Sequence, residues 1–169
     1  AVEAGAGFTD TKSYIGRDDL GATADKTIHI YDAVDAAENV FDVPITGYGG
    51  EKDKQLQASM NIVKALESLG VSMKTEGLVT RADGLDFLRV VGAGVAHSID
   101  PESARILKEF RDEHAAKGRD RVPDSIRFVT RSLRSNRAGW VSIEQMMEQY
   151  QPARIEAKRD DETAVVTTQ

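Results

Sequence analysis

A chain of 169 residues with 28 acidic and 22 basic side chains, a net charge of −6 and no cysteine can bury one core of ordinary size without staples. The lack of cysteine excludes a disulfide framework and a thiolate-bound zinc, and it fits a reducing compartment. The longest apolar runs, such as Phe87 to Ala96 interrupted by Arg89, fall short of a membrane span, and the first residues lack a basic-then-apolar signal, so a soluble intracellular protein is expected.

Residues 1–26 are rich in Gly, Ala and Asp and read as an irregular acidic arm. Lys26 to Tyr31 alternates Ile28 and Ile30 with polar residues, the period of a first core strand. Asp32 to Val43 fits a short helix, and Pro44 with Gly47-Tyr-Gly-Gly50 reads as a turn-rich connection. Leu56, Met60, Val63, Leu66 and Leu69 recur at three- and four-residue steps before Gly70, which predicts a helix over 51–69. Val71 to Thr75 and Leu78 to Thr80 are short strand candidates, and Asp83-Gly84 turns into a largely buried strand from Leu85 to Val91. Gly92-Ala-Gly94 breaks that strand, and Asp100-Pro101 opens a helix that Gly118 closes.

Beyond Gly118, Pro123-Asp124 starts a predicted helix in which Ile126, Val129 and Leu133 share a face, and Ser142 with Gln145 forms a capping box for a second helix ending near Pro152. Residues 152–169 are polar without periodicity and predict a disordered tail. The division is an arm at 1–26, an α/β core at 27–118, basic and amphipathic helices at 119–151, and the tail. The fold expected is α/β: a single small domain with a mostly parallel sheet of three or four strands flanked by helices, plus a C-terminal helical extension.

Charge is segregated. Residues 1–50 hold nine acids and three bases, residues 51–118 eleven and ten, residues 119–137 two and six, and residues 138–169 six and three. An acidic protein does not bind nucleic acid through its overall field, so any such contact is local and salt-sensitive. The basic segment supplies the candidate: Arg127, Arg131 and Arg134 form one stripe on the predicted helix and Arg137 extends it. The stripe fits a sequence-independent RNA contact or an acidic partner, and a solvated face balancing an acidic surface fits equally well.

Three other groups invite chemistry. Gly92 and Gly94 sit between a strand and a helix, where a backbone can approach a pyrophosphate, yet His97 occupies the third small position of that fingerprint and Asp100 already places a carboxylate on the helix dipole. His97 and Ser98 beside this turn are the best catalytic candidates, without a surrounding nucleophile motif. Asp32, Asp35 and Glu38 follow the first predicted strand, where magnesium-dependent enzymes often hold carboxylates, and an acidic helix face accounts for them as well. His29 reads as a strand residue and His114 as a cation in the last turn of a helix. No cofactor or metal is implied.

The core, from Ile28-His-Ile30 through Leu56–Leu69 and Phe87–Val91 to Ala104–Phe110, resembles the small parallel α/β layout of BRCT-type protein-interaction domains, which are often dimeric. The compact core, polar carboxyl end and lack of an enzymatic motif make the whole chain similar to the packaging and assembly cofactors of cystoviruses, the segmented double-stranded RNA bacteriophages. That resemblance implies a non-enzymatic factor supporting polymerase-complex assembly and RNA packaging inside a virion, with protein partners in a polymerase or capsid complex. A homodimer is expected on other grounds, because a sheet of three or four Val- and Ile-rich strands with moderately amphipathic helices leaves edges or helix faces to cover. Ser132 to Met147, with its Gly139-Trp140-Val141 turn, is also similar to the start of winged-helix modules, including those of RNA 2′-phosphotransferases. The alternative function is therefore a nucleotide-binding or RNA-processing enzyme using the Gly92–Ser98 loop.

Overall fold

The structure, a computed structural model, describes residues 2–5 and 7–169. It is mixed α/β. Five strands build the first sheet: β1 (Val2–Ala4), β2 (Ile45–Gly50), β3 (Met73–Glu76), β4 (Val79–Ala82) and β5 (Phe87–Gly92), in the spatial order β1-β2-β5-β4-β3. β1, β2 and β5 are parallel, and β4 and β3 continue the sheet antiparallel. The expectation of a mostly parallel sheet of three or four strands therefore becomes a mixed sheet of five.

Two short helices, α1 (Thr11–Ile15) and α2 (Ala22–Thr27), occupy the segment expected to be irregular. Two longer helices, α3 (Leu56–Ser68) and α4 (Pro101–Lys117), cover the two faces of the sheet. Every residue of β5 is buried, because successive side chains point to opposite faces and both faces are roofed. Phe87 packs with Val63, Leu66, Val71 and Val40 on the α3 side, while Leu88 and Val90 pack with Leu107, Phe110 and Tyr48 on the α4 side. Arg89 falls on the α3 side and donates from Nε to Ser59 Oγ at 3.0 Å. Asp100 caps α4 by accepting from the Ser103 N–H at 2.9 Å, with Pro101 behind it, as the sequence predicts.

β2 overturns the turn-rich reading of residues 44–50. Its glycines serve close packing: a Cβ at Gly47 would lie 3.3 Å from Ser59 Cβ, and one at Gly49 would lie 3.0 Å from Leu56 Cα, so α3 sits directly on this strand. Ile28–Ile30, expected as the first strand, is a 3-10 helix continuing α2. The element order behind the BRCT-type resemblance thus loses its first member, and β2 takes that role.

The chain beyond Gly118 forms a second sheet where helices and a disordered tail are expected. β6 (Ser125–Thr130) pairs antiparallel with β9 (Ala153–Arg159), which pairs with β10 (Ala164–Thr168); between them lies a small hairpin of β7 (Arg137–Ala138) and β8 (Val141–Ser142). The core is Ile126, Phe128, Val141, Ile155 and Ala157, covered in part by Trp140, whose Nε1 donates to the Pro123 carbonyl at 2.7 Å. Ile126, Phe128 and Thr130 recur at period two on a β-branched, aromatic segment, and that periodicity prevails over the helical one. Ser142 to Tyr150 is not helical, so the winged-helix likeness of 132–147 has no counterpart here.

The two sheets are joined by a 3-10 helix, Ala33–Phe41. Its apolar side, with Val40 and Phe41, enters the α3 core. Its polar side closes the outer edge of β6: Asn39 Nδ2 donates to the Val129 carbonyl at 3.0 Å and Asn39 Oδ1 accepts from the Val129 N–H at 2.8 Å, while Asp42 accepts from the Arg127 N–H at 3.0 Å. A carboxamide here takes the place of the peptide group of a neighbouring strand.

Val129 is 2 % exposed, so removing the carboxamide strands two backbone groups away from water. Asn39→Leu is expected to destabilise by about 1–3 kcal/mol for each group left unpaired, read by urea unfolding, and to deprotect the Val129 amide in hydrogen exchange. An unchanged midpoint would show that the edge is not sealed by this side chain.

Candidate functional site

The Gly92–Ser98 loop lies where two parallel strands end and α4 begins, the usual ligand position of an α/β sheet. Here it is filled from within. A Cβ at Gly50 would lie 2.0 Å from the Ala96 carbonyl oxygen and one at Gly92 would lie 2.1 Å from Tyr48 Oη, so these glycines let the loop fold onto β2. Gly94, at φ +65°, donates its N–H to Glu51 Oε2 at 2.8 Å, and the Glu51 and Lys52 amides donate to the Gly92 and Val95 carbonyls. Tyr48 Oη donates to the Ser98 carbonyl at 2.7 Å, and burial raises the phenol pKa, which keeps it a donor. Glu51 and Asp100 thus occupy the two places an anion would take.

His97 remains at the rim. Its Nδ1 lies 2.9 Å from Asp53 Oδ2, with the His97 side chain 69 % exposed and that of Asp53 only 8 %. The Gln55 backbone N–H, and after it His97, hold the Asp53 carboxyl below the usual carboxylate range. An oriented, exposed imidazole is the chemical equipment of a general base.

The other two groups singled out in the sequence turn out to be each other's partners. Glu38 accepts from Arg127 Nε at 2.6 Å and from Arg154 Nε at 3.0 Å, and Arg127 lies 4.3 Å over the Phe41 ring. Asp35 meets His29 Nδ1 at 2.5 Å and accepts from Arg131 Nη2 at 3.2 Å; Arg131 Nε is equally near but misaligned, so the pairing runs through Nη2. Arg131 Nη1 also donates to the Tyr150 carbonyl at 3.0 Å, and the Tyr150 N–H donates to the Arg131 carbonyl at 2.8 Å, which holds Tyr150 at φ +69°. Asp32, 8 % exposed, accepts from the Thr11 backbone N–H at 2.8 Å and from its hydroxyl. His29, Asp32 and Asp35 bring ligand-type atoms within 4.8 Å of one another, but each carboxylate is already engaged. The outward stripe of Arg127, Arg131 and Arg134 does not form, because this segment is a strand and its extension: Arg127 and Arg131 turn toward the acids of Ala33–Phe41, and Arg134 stays exposed.

Arg137 has different company. With Arg119, Arg121 and Gly139 it lines an open hollow of about 660 Å³, and none of the three arginines has an acidic group within 4.0 Å among the described residues. Arg119, Arg137 and Gly139 also form the mouth of a deeper cleft of about 700 Å³, between the end of α4 and the second sheet, floored by Ile126, Phe128 and Ala138. Arg119 and Arg121 were visible in the sequence only as part of the basic segment. Their convergence with Arg137 depends on the turn through Pro123 and the β7–β8 hairpin, which no local pattern specifies.

No protein-family model matches the chain, and no curated protein or solved structure is significantly similar to it. Among the described residues no helix is long and apolar enough to cross a membrane.

Asp42 offers a pH test of the joint between the sheets. Burial pushes its carboxyl above the ordinary carboxylate value, against the opposing Arg127 N–H. The folded chain then holds this proton more tightly than the unfolded one, so the Asp42 contribution favours folding at acidic pH and is lost as pH rises through the raised value. Asp42→Asn keeps an oxygen for the Arg127 N–H and is expected to be at least as stable as the parent at neutral pH, with its advantage vanishing in acid. Urea unfolding across that range checks it, and a variant weaker at neutral pH would contradict the assignment.

Proposed function

We propose that the protein is a non-enzymatic interaction and assembly factor of a nucleoprotein machine, of the kind exemplified by the packaging and assembly cofactors of cystoviruses, acting on a polymerase or capsid complex within a virion. The observation that carries this reading is the cluster of Arg119, Arg121 and Arg137: a chain of net charge −6 leaves three guanidinium groups without acidic partners around one hollow. Guanidinium groups bind phosphate oxygens in a planar, bidentate fashion, and a contact of this kind is sequence-blind. The parallel trio β1-β2-β5 between α3 and α4 supports the comparison with BRCT-type interaction domains.

Homodimerisation belongs to the same reading. The β6 edge is sealed and β3 carries Lys74 and Glu76, but β10 (Ala164-Val-Val-Thr-Thr168) is uncharged, exposed along its length and unpaired on its outer side among the described residues. Such an edge pairs readily with its own copy. Sedimentation equilibrium is expected to give a dimer in the micromolar range that Val166→Lys weakens, and a monomer at all concentrations would remove this part of the proposal.

For the arginine cluster, replacing Arg119, Arg121 and Arg137 with glutamine is expected to leave folding intact, at less than about 0.5 kcal/mol each for exposed sites. The same change should flatten the log–log salt dependence of duplex RNA binding by about 2.7, at about 0.9 per phosphate contact. Unchanged RNA binding would overturn the reading. His97 with Asp53 favours a second one, a nucleotide- or RNA-processing enzyme. A thermal shift with nucleotides and magnesium that survives the triple substitution and disappears in His97→Ala would select it over the first.

A further inference from the structure

We propose that the cleft between α4 and the second sheet binds a single nucleotide unit, with the phosphate held by Arg119, Arg121 and Arg137 at the mouth and the ring resting on Ile126, Phe128 and Ala138. This deepens the phosphate-binding reading above and rests on it, because it assigns the same arginines a ligand with a base as well as a charge.

The cleft has two compartments of different chemistry that share Arg119, Arg137 and Gly139. The outer one is purely cationic, while the inner one combines an apolar floor with polar groups in its walls. Small-molecule sites have this composition, and their volumes run from about 300 to about 1,000 Å³. The inner walls also carry Asp42, Asp86 and Asp120 against one cation, Lys117, which Glu113 already pairs at 2.8 Å. Asp42 is tied to the Arg127 N–H and Asp120 to the Val122 N–H, but their charge still repels an anion. A ligand with one anionic and one neutral, flat end therefore has a single favourable orientation: phosphate outward, ring inward.

A second observation points the same way. His114 lines the inner compartment with its side chain 5 % exposed, and its Nδ1 lies 3.6 Å from Asp86 Oδ2, longer than a hydrogen bond. Its ring packs against Phe110 at 4.3 Å between centroids. A buried imidazole whose nearest carboxylate stands off by this distance is a hydrogen-bonding group with capacity to spare beside the apolar floor, and the edge of a nucleobase can satisfy it. Gly139 keeps the mouth open. At φ +53° a side chain would be strained there, and its Cβ would come within 2.8 Å of Ile126 Cδ1. An acidic peptide would also satisfy the arginines, but it brings no neutral ring for the floor.

The test uses the full chain with AMP, inorganic phosphate, a short RNA and polyglutamate as probes. It is read by the fluorescence of the single tryptophan, Trp140, next to Gly139, and by amide shifts at Ala138 and Gly139. AMP is expected to bind at least about tenfold more tightly than inorganic phosphate, and to lose about tenfold when the cleft is plugged by Val43→Phe, a residue exposed on its wall. The salt slope of RNA binding should stay as in the parent. Ala115→Phe plugs the cleft from α4 and decides the matter if circular dichroism shows Val43→Phe misfolded. AMP binding no better than phosphate, AMP binding indifferent to the plugs, or polyglutamate competing as well as AMP would each overturn the proposal. RNA binding that persists through such a failure leaves the surface reading standing. Loss of both RNA and AMP binding would remove the two together.

Discussion

The reciprocal hydrogen bonds between the Asn39 carboxamide and the Val129 peptide hold the architecture together. An edge strand must satisfy its backbone groups or expose them, and β6 is an edge whose residues Phe128 to Thr130 are buried. Water cannot reach it, so the 3-10 helix Ala33–Phe41 must supply the missing polar groups. Once Asn39 and Asp42 are aligned on that edge, Glu38 comes opposite Arg127 of β6 and Arg154 of β9, and Asp35 comes opposite Arg131 just past the end of β6. Two of the acids of the first fifty residues, Asp35 and Glu38, thus meet two of the six bases of residues 119–137, Arg127 and Arg131. These pairs are an internal interface.

The same constraint explains why the Gly92–Ser98 loop and the arginine cleft differ. Around the loop, the Gly94 N–H already faces the Glu51 carboxylate, Tyr48 Oη holds the Ser98 carbonyl, and the glycines are spent on contact with Tyr48 and Ala96. An anion arriving there would have to displace Glu51 and share a dipole with Asp100. Around the cleft, the walls come from the second sheet, the β7–β8 hairpin and the end of α4, and none of the acids that line it, Asp42, Asp86 and Asp120, pairs with the arginines at its mouth among the described residues. Two packed units leave a cleft where their surfaces diverge, which is where ligand sites commonly form.

Residues whose structure is set by local chemistry were legible in the sequence. Asp100-Pro101 and Gly118 bracket α4, the apolar steps from Leu56 mark α3, and the hydrophobic run of β5, interrupted only by Arg89, reads as a largely buried strand. The misread elements depend on partners far away in sequence. Gly47 and Gly49 look like turn residues until α3 is seen to need the space above them. Ile126, Val129 and Leu133 fit a helix as well as Ile126, Phe128 and Thr130 fit a strand, and β9 decides between them by pairing with the second set. β9 itself shows only Ile155 and Ala157 as buried apolar residues amid charges, too little for a strand to be recognised without its neighbours. For the site, Arg137 was visible as a cation. Its companions were not, because Arg119 and Arg121 approach it only after the chain has turned at Pro123.

The fate of five of the six arginines of residues 119–137 then follows from distance. A charge more than about a Debye length from its counter-charge, ~8 Å at physiological ionic strength, gains little from it. Arg127 and Arg131 reach carboxylates directly and are neutralised where burial makes the pairing count. Arg119, Arg121 and Arg137 have no carboxylate within 4.0 Å among the described residues, so their guanidinium groups keep donors free for an outside anion, although Asp42, Asp86 and Asp120 line the cleft behind them. An acidic body that carries one compact cationic mouth is repelled by a polyanion in most orientations and attracted in one. Weak binding of this type sets the direction in which the protein faces its partner, and direction is what an assembly factor has to supply.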